Sequence, residues 1–192
     1  MIILLNGPPG SGKDTAAEFI ILALGNSKVH HDKLSKPLKS GLRNLFNFDI
    51  REMKVLEAYK DHSNGPEYGD LSWRQMQIKM FKSLEATYGP SILGHLFVRR
   101  NRNNAKRHTV ISDAGRKAEI VPIIESNPYK QIGLIELERP ECDFENDIRE
   151  YVGDEGIGHY KRINNRYDLE LFQVQIKRVL VEWELLDDEE DN

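Results

Sequence analysis

The strongest chemical signal in this sequence is the segment Gly7-Pro8-Pro9-Gly10-Ser11-Gly12-Lys13, which fits the pattern G-x-x-x-x-G-K. Glycines let the backbone wrap closely around phosphate oxygens, and successive N–H groups then point inward as an anion-binding nest. The lysine adds a full positive charge at the outer phosphates. We therefore predict that residues 7–13, the phosphate loop, bind the polyphosphate of a nucleotide such as ATP.

The position after the motif lysine departs from the usual pattern, which places Ser or Thr there to ligate magnesium. That position holds Asp14, and Thr15 follows. Asp14 could contact the metal through water, hold Thr15 or act on the transferring phosphoryl group. It could also be a first-turn acid favoured by the helix dipole, an effect worth ~0.3–1 kcal/mol. We expect both residues to bind ATP and Mg²⁺, and Asp14 to take part in catalysis with Lys13.

Strand and helix signals alternate along the chain. Residues 2–5 form a continuous apolar run of strand length, and helical spacing begins at Lys13. Further strand candidates, with helical patterns between most of them, are residues 28–31, 108–113, 131–137 and 160–164. Strands separated by helices predict an α/β fold with a parallel sheet flanked by helices.

Three segments differ from this alternation. Residues 36–107 are largely helical in pattern and predict a helical insertion on the substrate side. Residues 140–159 are polar and contain three glycines, which favours a short lid, although a plain surface loop would look similar. Residues 187–192 include five successive carboxylates, which predicts a disordered acidic tail. We expect residues 1–186 to form a single domain.

A second group of charged residues follows two predicted strands. Asp113 ends one strand, where a second metal-organising carboxylate is expected, although it could instead cap the next helix. Arg116 lies three residues after Asp113, is followed by Lys117, and could face the phosphates. Arg139 closes another strand, and a cation at the carboxyl end of a parallel strand points towards the ligand crevice. Arg139 could equally be a surface charge.

Cations elsewhere could capture an acceptor phosphate, which carries about two negative charges. Each one alone is more often solvated than functional, and together with a phosphate loop they become candidates. We expect the substrate-binding set to include Lys33, Lys39, Arg74, Asp113, Lys117 and Arg149.

Composition, charge and residue spacing argue against several other classes of protein. The net charge is −4, whereas a general nucleic-acid coat protein is usually strongly basic. Residues 99–107 hold five cations but no aromatic for base stacking, so a solvated helix end is favoured over a nucleic-acid patch.

The histidines lack zinc-site spacing, and Cys142 has no partner for an internal disulfide. The longest apolar runs are too short for a membrane span. The N-terminus lacks the basic lead of a signal peptide.

Taken in order, these residues resemble the bacteriophage deoxynucleoside monophosphate kinases, a family of P-loop nucleotide kinases. The resemblance begins with the unusual Lys13-Asp14-Thr15 in place of Lys-Ser/Thr. It continues through residues 35–39, 74–89, 110–116 and 135–140, and through 163–165 before a final helix. Residues 148–150 stand where the family has His-x-(Ser/Thr)-Glu.

The resemblance implies a P-loop kinase fold and a transferase that passes the γ-phosphoryl group of ATP to a deoxynucleoside monophosphate, with Mg²⁺. It implies catalytic roles for Lys13, Asp14, Arg116 and Arg139, and ATP contacts from Gly10, Ser11, Gly12, Lys13, Asp14, Thr15 and Asn164. It places the metal near Asp14, Thr15 and Asp113. Another small-molecule P-loop kinase and a non-catalytic nucleotide- or DNA-binding module are the alternatives.

These expectations extend to partners and location. We expect ATP and a deoxynucleoside monophosphate as ligands, with no membrane and no nucleic-acid partner. The helical insertion could also join two copies as a homodimer. The expected location is the cytoplasm, which is the host cytoplasm if a bacteriophage encodes the chain.

Overall fold

The computed structural model describes residues 1–127, 131–145, 147–166 and 168–187. Five parallel strands form a sheet in the order β2-β3-β1-β4-β5. The strands are β1 (Ile2–Asn6), β2 (Val29–Asp32), β3 (His108–Ile111), β4 (Ile132–Glu138) and β5 (His159–Asn164). The predicted fold class, a parallel sheet flanked by helices with a helical insertion, is confirmed.

The helices lie close to the positions that the sequence predicts. A 3₁₀ turn at Pro66–Tyr68 interrupts the helices of the segment 36–107. The helices are α1 (Lys13–Leu24), α2 (Lys36–Phe46), α3 (Ile50–Ala58), α4 (Trp73–Tyr88), α5 (Ile92–Asn101), α6 (Lys117–Ser126) and α7 (Leu169–Glu182).

β1 lies at the centre of the sheet because its apolar residues alternate between two cores. Ile3 and Leu5 pack in a cluster with side chains from α1 and α7. Ile2 and Leu4 pack in the opposite cluster with side chains from α5 and α6. Full burial of such a side chain stabilises the fold by roughly 1.5–3 kcal/mol. β1 is therefore a fixed base for the phosphate loop that follows it.

The insertion consists of α2 to α5, which lie between β2 and β3. Ser72 begins α4 with a capping box, in which its hydroxyl accepts from Gln75 N and the Gln75 side chain accepts from Ser72 N. Phe81, farther along α4, packs in the main core. α4 thus joins the insertion to the sheet. The insertion also has a small core of its own, formed by Leu42, Phe48, Leu56, Trp73 and Met76.

The second half of the segment predicted as a lid is bonded to the sheet. Asn6 Nδ2 donates to Ala114 O at 2.8 Å and to Glu150 O at 2.9 Å. Val152 N donates to Asn6 Oδ1 at 3.3 Å, and Glu150 N donates to Gly115 O at 2.9 Å. These bonds fix residues 149–153 over the end of β1. A lid movement of the segment 140–159 stays a prediction.

Two other expectations concern the chain end and the membrane. The predicted acidic tail, residues 187–192, lies outside the described residues except for Asp187. Among the described residues, no helix combines the length and apolar character that crossing a membrane would require.

Candidate active site

The phosphate loop connects β1 to α1, and its shape depends on glycine. Gly10 has φ +80° and Gly12 has φ +98°, both in the left-handed region that favours glycine. A Cβ atom on Gly12 would lie 2.6 Å from Asn165 Nδ2. That amide nitrogen donates to Ser11 O at 2.9 Å in a buried hydrogen bond. The loop is therefore held from behind by the segment between β5 and α7.

Lys13, the first residue of α1, folds its side chain back over the loop. Its Nζ donates to Gly7 O at 2.7 Å and to Pro8 O at 2.6 Å. Burial, and next the nearby Arg149 charge, lower the pKa of Lys13 to about 8. The amine is mostly protonated at neutral pH, and neutral carbonyl oxygens hold it. A bound polyphosphate can therefore replace these carbonyl oxygens as the partner of the Lys13 ammonium group, and no carboxylate has to be displaced.

Asp14 lies where three elements meet. Its Oδ1 accepts from Ser112 Oγ at 2.8 Å and lies 2.8 Å from Lys33 Nζ. Partial burial acts to raise the pKa of Asp14, but the hydrogen bonds from Lys33 and Ser112 outweigh it and hold the pKa below its usual value. An ionised Asp14 thus links α1 to the end of β3 and to the segment after β2.

Asp113 follows β3 by two residues and holds the turn before α2. Its Oδ1 accepts from Leu34 N at 2.6 Å, and its Oδ2 accepts from Ser35 N at 3.0 Å. Asp113 was a candidate to cap the next helix in the chain, but its carboxyl bonds instead to the segment leading into α2. Asp113 still lines the cleft.

The residues near the loop fit a magnesium ion that keeps most of its water. Mg²⁺ is usually held by one or two carboxylates together with substrate phosphates. Among the described residues no group of three or more His, Cys, Asp or Glu side chains could hold a metal alone. Asp14 Oδ2 has no hydrogen-bond partner within that part of the chain. Asp14, Asp113 and the first-turn Thr15 are the residues that would hold the ion's water shell.

A cleft of about 380 Å³ opens from the phosphate loop towards the insertion. It brings together cations from the β2–α2 segment, α2, α4, the α6 start and the segment after β4. Most of these are paired with a carboxylate. The pairs are Lys33–Asp14, Lys39–Glu57, Arg74–Asp61, Arg116–Glu85 and Arg149–Asp147.

Arg116 is held by an ion pair and by an aromatic ring. Its Nη2 donates to Glu85 Oε1 at 2.6 Å, and its guanidinium lies 4.7 Å from the ring centre of Phe81. Its Nη1 is buried without a hydrogen-bond partner and lies 3.9 Å from Glu119 Oε1. An unpaired buried N–H costs roughly 1–3 kcal/mol, so this group is free to donate a hydrogen bond to a ligand oxygen.

Three predicted site residues point elsewhere. Arg139 is exposed and donates to Gly10 O of the phosphate loop at 3.3 Å. Lys117 forms an exposed ion pair with Glu155. Asn164 Oδ1 accepts from Arg166 Nε at 2.9 Å. None of the three lines the cleft.

Two residues that the sequence reasoning missed have clear structural positions. Asn165, the neighbour of Asn164, supports the phosphate loop through Ser11 O. Glu119 is buried, lines the cleft, and has its pKa raised to about 7 chiefly by burial. The signal for Asn165 was present, because it follows the last strand directly. No pattern in the sequence distinguishes Glu119 from an exposed helix acid.

The basic segment 99–107 is partly used within the fold. Arg100 Nε donates to the buried Asp32 at 2.8 Å, and its Nη2 donates to Lys33 O at 2.6 Å. Lys106 Nζ donates to Ser27 O at 2.7 Å. These contacts tie α5 and the following loop to β2, so they favour a structural role over a nucleic-acid patch.

Comparisons with known proteins add little to this geometry. No protein-family model matches the chain, and a search of curated proteins finds no match. Among solved structures, one similar chain is an unliganded sugar kinase from Janibacter sp. HTCC2649. It has 11% sequence identity and a TM-score of 0.49, over 96% of this chain and 94% of that chain. A likeness this weak carries no argument about function, and the resemblance to the phage kinases stays a prediction.

Proposed function

We propose that this protein is an ATP-dependent kinase that transfers the γ-phosphoryl group of ATP to the phosphate of a deoxynucleoside monophosphate. One observation carries the proposal. The phosphate loop and a set of cations from the insertion and from the segment after β4 line the same cleft. A cleft with a polyphosphate cradle at one end and several cations at the other suits two phosphorylated ligands facing each other.

At the donor end, the loop N–H groups and the α1 N-terminus bind the β- and γ-phosphates. Lys13 exchanges its carbonyl partners for phosphate oxygens. Mg²⁺, when bound with ATP, neutralises charge on the β- and γ-phosphates. Asp14, Thr15 and Asp113 are the residues that would hold the ion through its water shell.

At the acceptor end, the nucleophile is a phosphate oxygen that is already ionised at neutral pH, so no strong general base is needed. Catalysis then consists of alignment and neutralisation of charge. Arg116 and Arg149 flank the gap between the two ligands, while Lys33, Lys39 and Arg74 hold the acceptor. The acceptor class rests on the sequence resemblance together with this cation set.

The test is a coupled assay with ATP, Mg²⁺ and a panel of all deoxy- and ribonucleoside monophosphates, with sugars and alcohols as further acceptors. We expect turnover with deoxynucleoside monophosphates. Removing one charge-stabilising donor lowers the rate roughly 100- to 1,000-fold. The rate of phosphoryl transfer should therefore fall by about that factor in Lys13→Ala and in Arg116→Ala. Asp14→Ala should also lose activity.

Lys161→Ala is the matched control, because Lys161 lies on β5 and pairs with Glu182 away from the cleft. It should retain full activity. Turnover of sugars or alcohols alone would favour another small-molecule kinase. Full activity in all three cleft variants would refute the proposal.

A further inference from the structure

One carboxyl group in the cleft differs from the others because it accepts no hydrogen bond from the described residues. Glu119 lies in the first turn of α6, is 5% exposed and lines the cleft. Its nearest cation is Arg116, at 3.9 Å, and that guanidinium donates to Glu85 instead. Among the described residues no N–H or O–H group donates a hydrogen bond to the Glu119 carboxyl. The carboxyl oxygens keep some access from the cleft, so they can accept hydrogen bonds from a ligand.

The backbone at Glu119 is tightly packed, and apolar side chains line part of its cleft. A Cβ on Gly94 would lie 2.0 Å from Glu119 O, so α5 packs directly on the backbone of α6 at this point. Leu93, Phe81 and Leu38 line the same cleft and belong to the main core. Such a wall suits the flat, apolar faces of a nucleobase, with one polar group to read its edge.

The charged groups that act on Glu119 come from several elements. Arg116 on its own element and Arg149 after β4 favour its ionised form, while Asp113 after β3 and Glu85 on α4 oppose it. Burial exceeds these effects and raises the pKa of Glu119 to about 7. Ligand N–H groups that donate to the Glu119 carboxylate would stabilise its ionised form, so this position favours a ligand with such donors.

We propose that Glu119 selects the base of the acceptor nucleotide: its carboxylate accepts two adjacent N–H groups on the base edge, so that guanine is preferred to adenine. This inference rests on the proposed function. Guanine presents an imino and an amino N–H side by side, which match the two oxygens of an ionised carboxylate. Adenine presents an amino N–H beside a ring nitrogen acceptor, which leaves one carboxylate oxygen facing a lone pair.

The experiment compares kcat/KM for dGMP and dAMP at pH 8.5 in the wild type and in Glu119→Gln. A bidentate pair discriminates bases by ~1–3 kcal/mol, so we expect the wild type to prefer dGMP by roughly 5- to 150-fold. The glutamine amide offers one acceptor and one donor, which match adenine. The preference should therefore be lost or reversed in Glu119→Gln.

Glu125→Gln is the matched control, because Glu125 lies on the same helix, is exposed and does not line the cleft. It should keep the wild-type preference. An unchanged preference in Glu119→Gln, with an active wild type, would overturn the inference and leave the proposed function standing. A wild type that phosphorylates no nucleoside monophosphate would overturn both.

A second measurement needs no variant. In the wild type, the ratio of kcat/KM for dGMP over dAMP should rise between pH 6 and pH 8.5, because protonated Glu119 offers a donor beside an acceptor and matches adenine. The ratio in Glu119→Gln should not change over that range. A wild-type ratio that is flat with pH would count against Glu119 as the group that reads the base.

Discussion

The two ends of the cleft are held by different kinds of interaction. At the donor end, the phosphate loop is shaped by backbone geometry, and Lys13 bonds to two neutral carbonyl oxygens. At the acceptor end, the cations of α2, α4 and α6 each pair with a carboxylate. Carbonyl dipoles yield readily to a charged polyphosphate, whereas a carboxylate competes with the incoming phosphate for the same cation.

Because of this difference, we expect the two ends of the cleft to respond to different kinds of substitution. Donor binding depends on the path of the backbone, which a single Cβ atom can disturb. Acceptor binding depends on an exchange of ion-pair partners, which a single change of charge can shift. Lys33 connects the ends, since it belongs to the acceptor set and pairs with Asp14 beside the phosphate loop.

The largest expected effect comes from disturbing the backbone at the donor end. Gly12→Ala places a Cβ 2.6 Å from Asn165 Nδ2 at φ +98°, so the loop must shift. Displaced donor N–H groups should lower kcat/KM for ATP by roughly 100-fold or more, measured in the coupled assay. Gly25→Ala is the matched control, because Gly25 has φ +91° and nothing within 4 Å of an added Cβ. An equal loss in Gly25→Ala would show that strain alone explains the effect.

The next effect concerns stability and the unpaired carboxyl at the acceptor end. The pKa of Glu119 is about 7 in the folded chain against 4.5 for the ordinary group. The stability that it contributes is present below pH 4.5 and is lost as the pH rises through 7. Glu119→Gln should therefore exceed the wild type in unfolding free energy by about 3 kcal/mol at pH 8 and match it near pH 4.5. Urea denaturation at both pH values measures this, and the same gap at both would contradict the assignment.

A smaller effect should follow from removing the support behind the phosphate loop. Asn165→Ala leaves the buried Ser11 O without its donor, which costs roughly 1–3 kcal/mol of stability. A looser loop should also raise KM for ATP, as measured by initial rates at varied ATP. Asn164→Ala removes a contact with Arg166 and should have the milder effect. The reverse order would return the role to Asn164, as the sequence resemblance implied.

The smallest effect should come from the acceptor ion pairs. Glu85→Gln keeps a hydrogen-bond acceptor for Arg116 but removes the competing negative charge. We expect KM for the acceptor to fall by roughly threefold to tenfold with little change in kcat, since partly exposed ion pairs are worth about 1 kcal/mol. Glu18→Gln, an exposed change on α1, should leave KM unaltered. A raised KM in Glu85→Gln would mean that the pair orients Arg116 rather than competing for it.

The sequence by itself determined the sheet, the order of the helices and the phosphate loop. These features are local: the apolar run at 2–5, the glycines of the loop and the caps at Ser72 and Gly25 act over a few neighbouring residues. Asp14 was recognised as unusual from its position after Lys13. Its partners Ser112 and Lys33 come from other elements, so they were not predicted.

The tertiary structure alone decided which charged residues share the cleft. Arg116 and Lys117 are adjacent in the chain, yet Arg116 faces the cleft and Lys117 pairs with Glu155 at the surface. Glu119 became a candidate because folding buries it at the cleft wall without a hydrogen-bond donor among the described residues. Local patterns reflect short-range geometry, whereas burial and ion pairing depend on segments that are distant in sequence and meet when the chain folds.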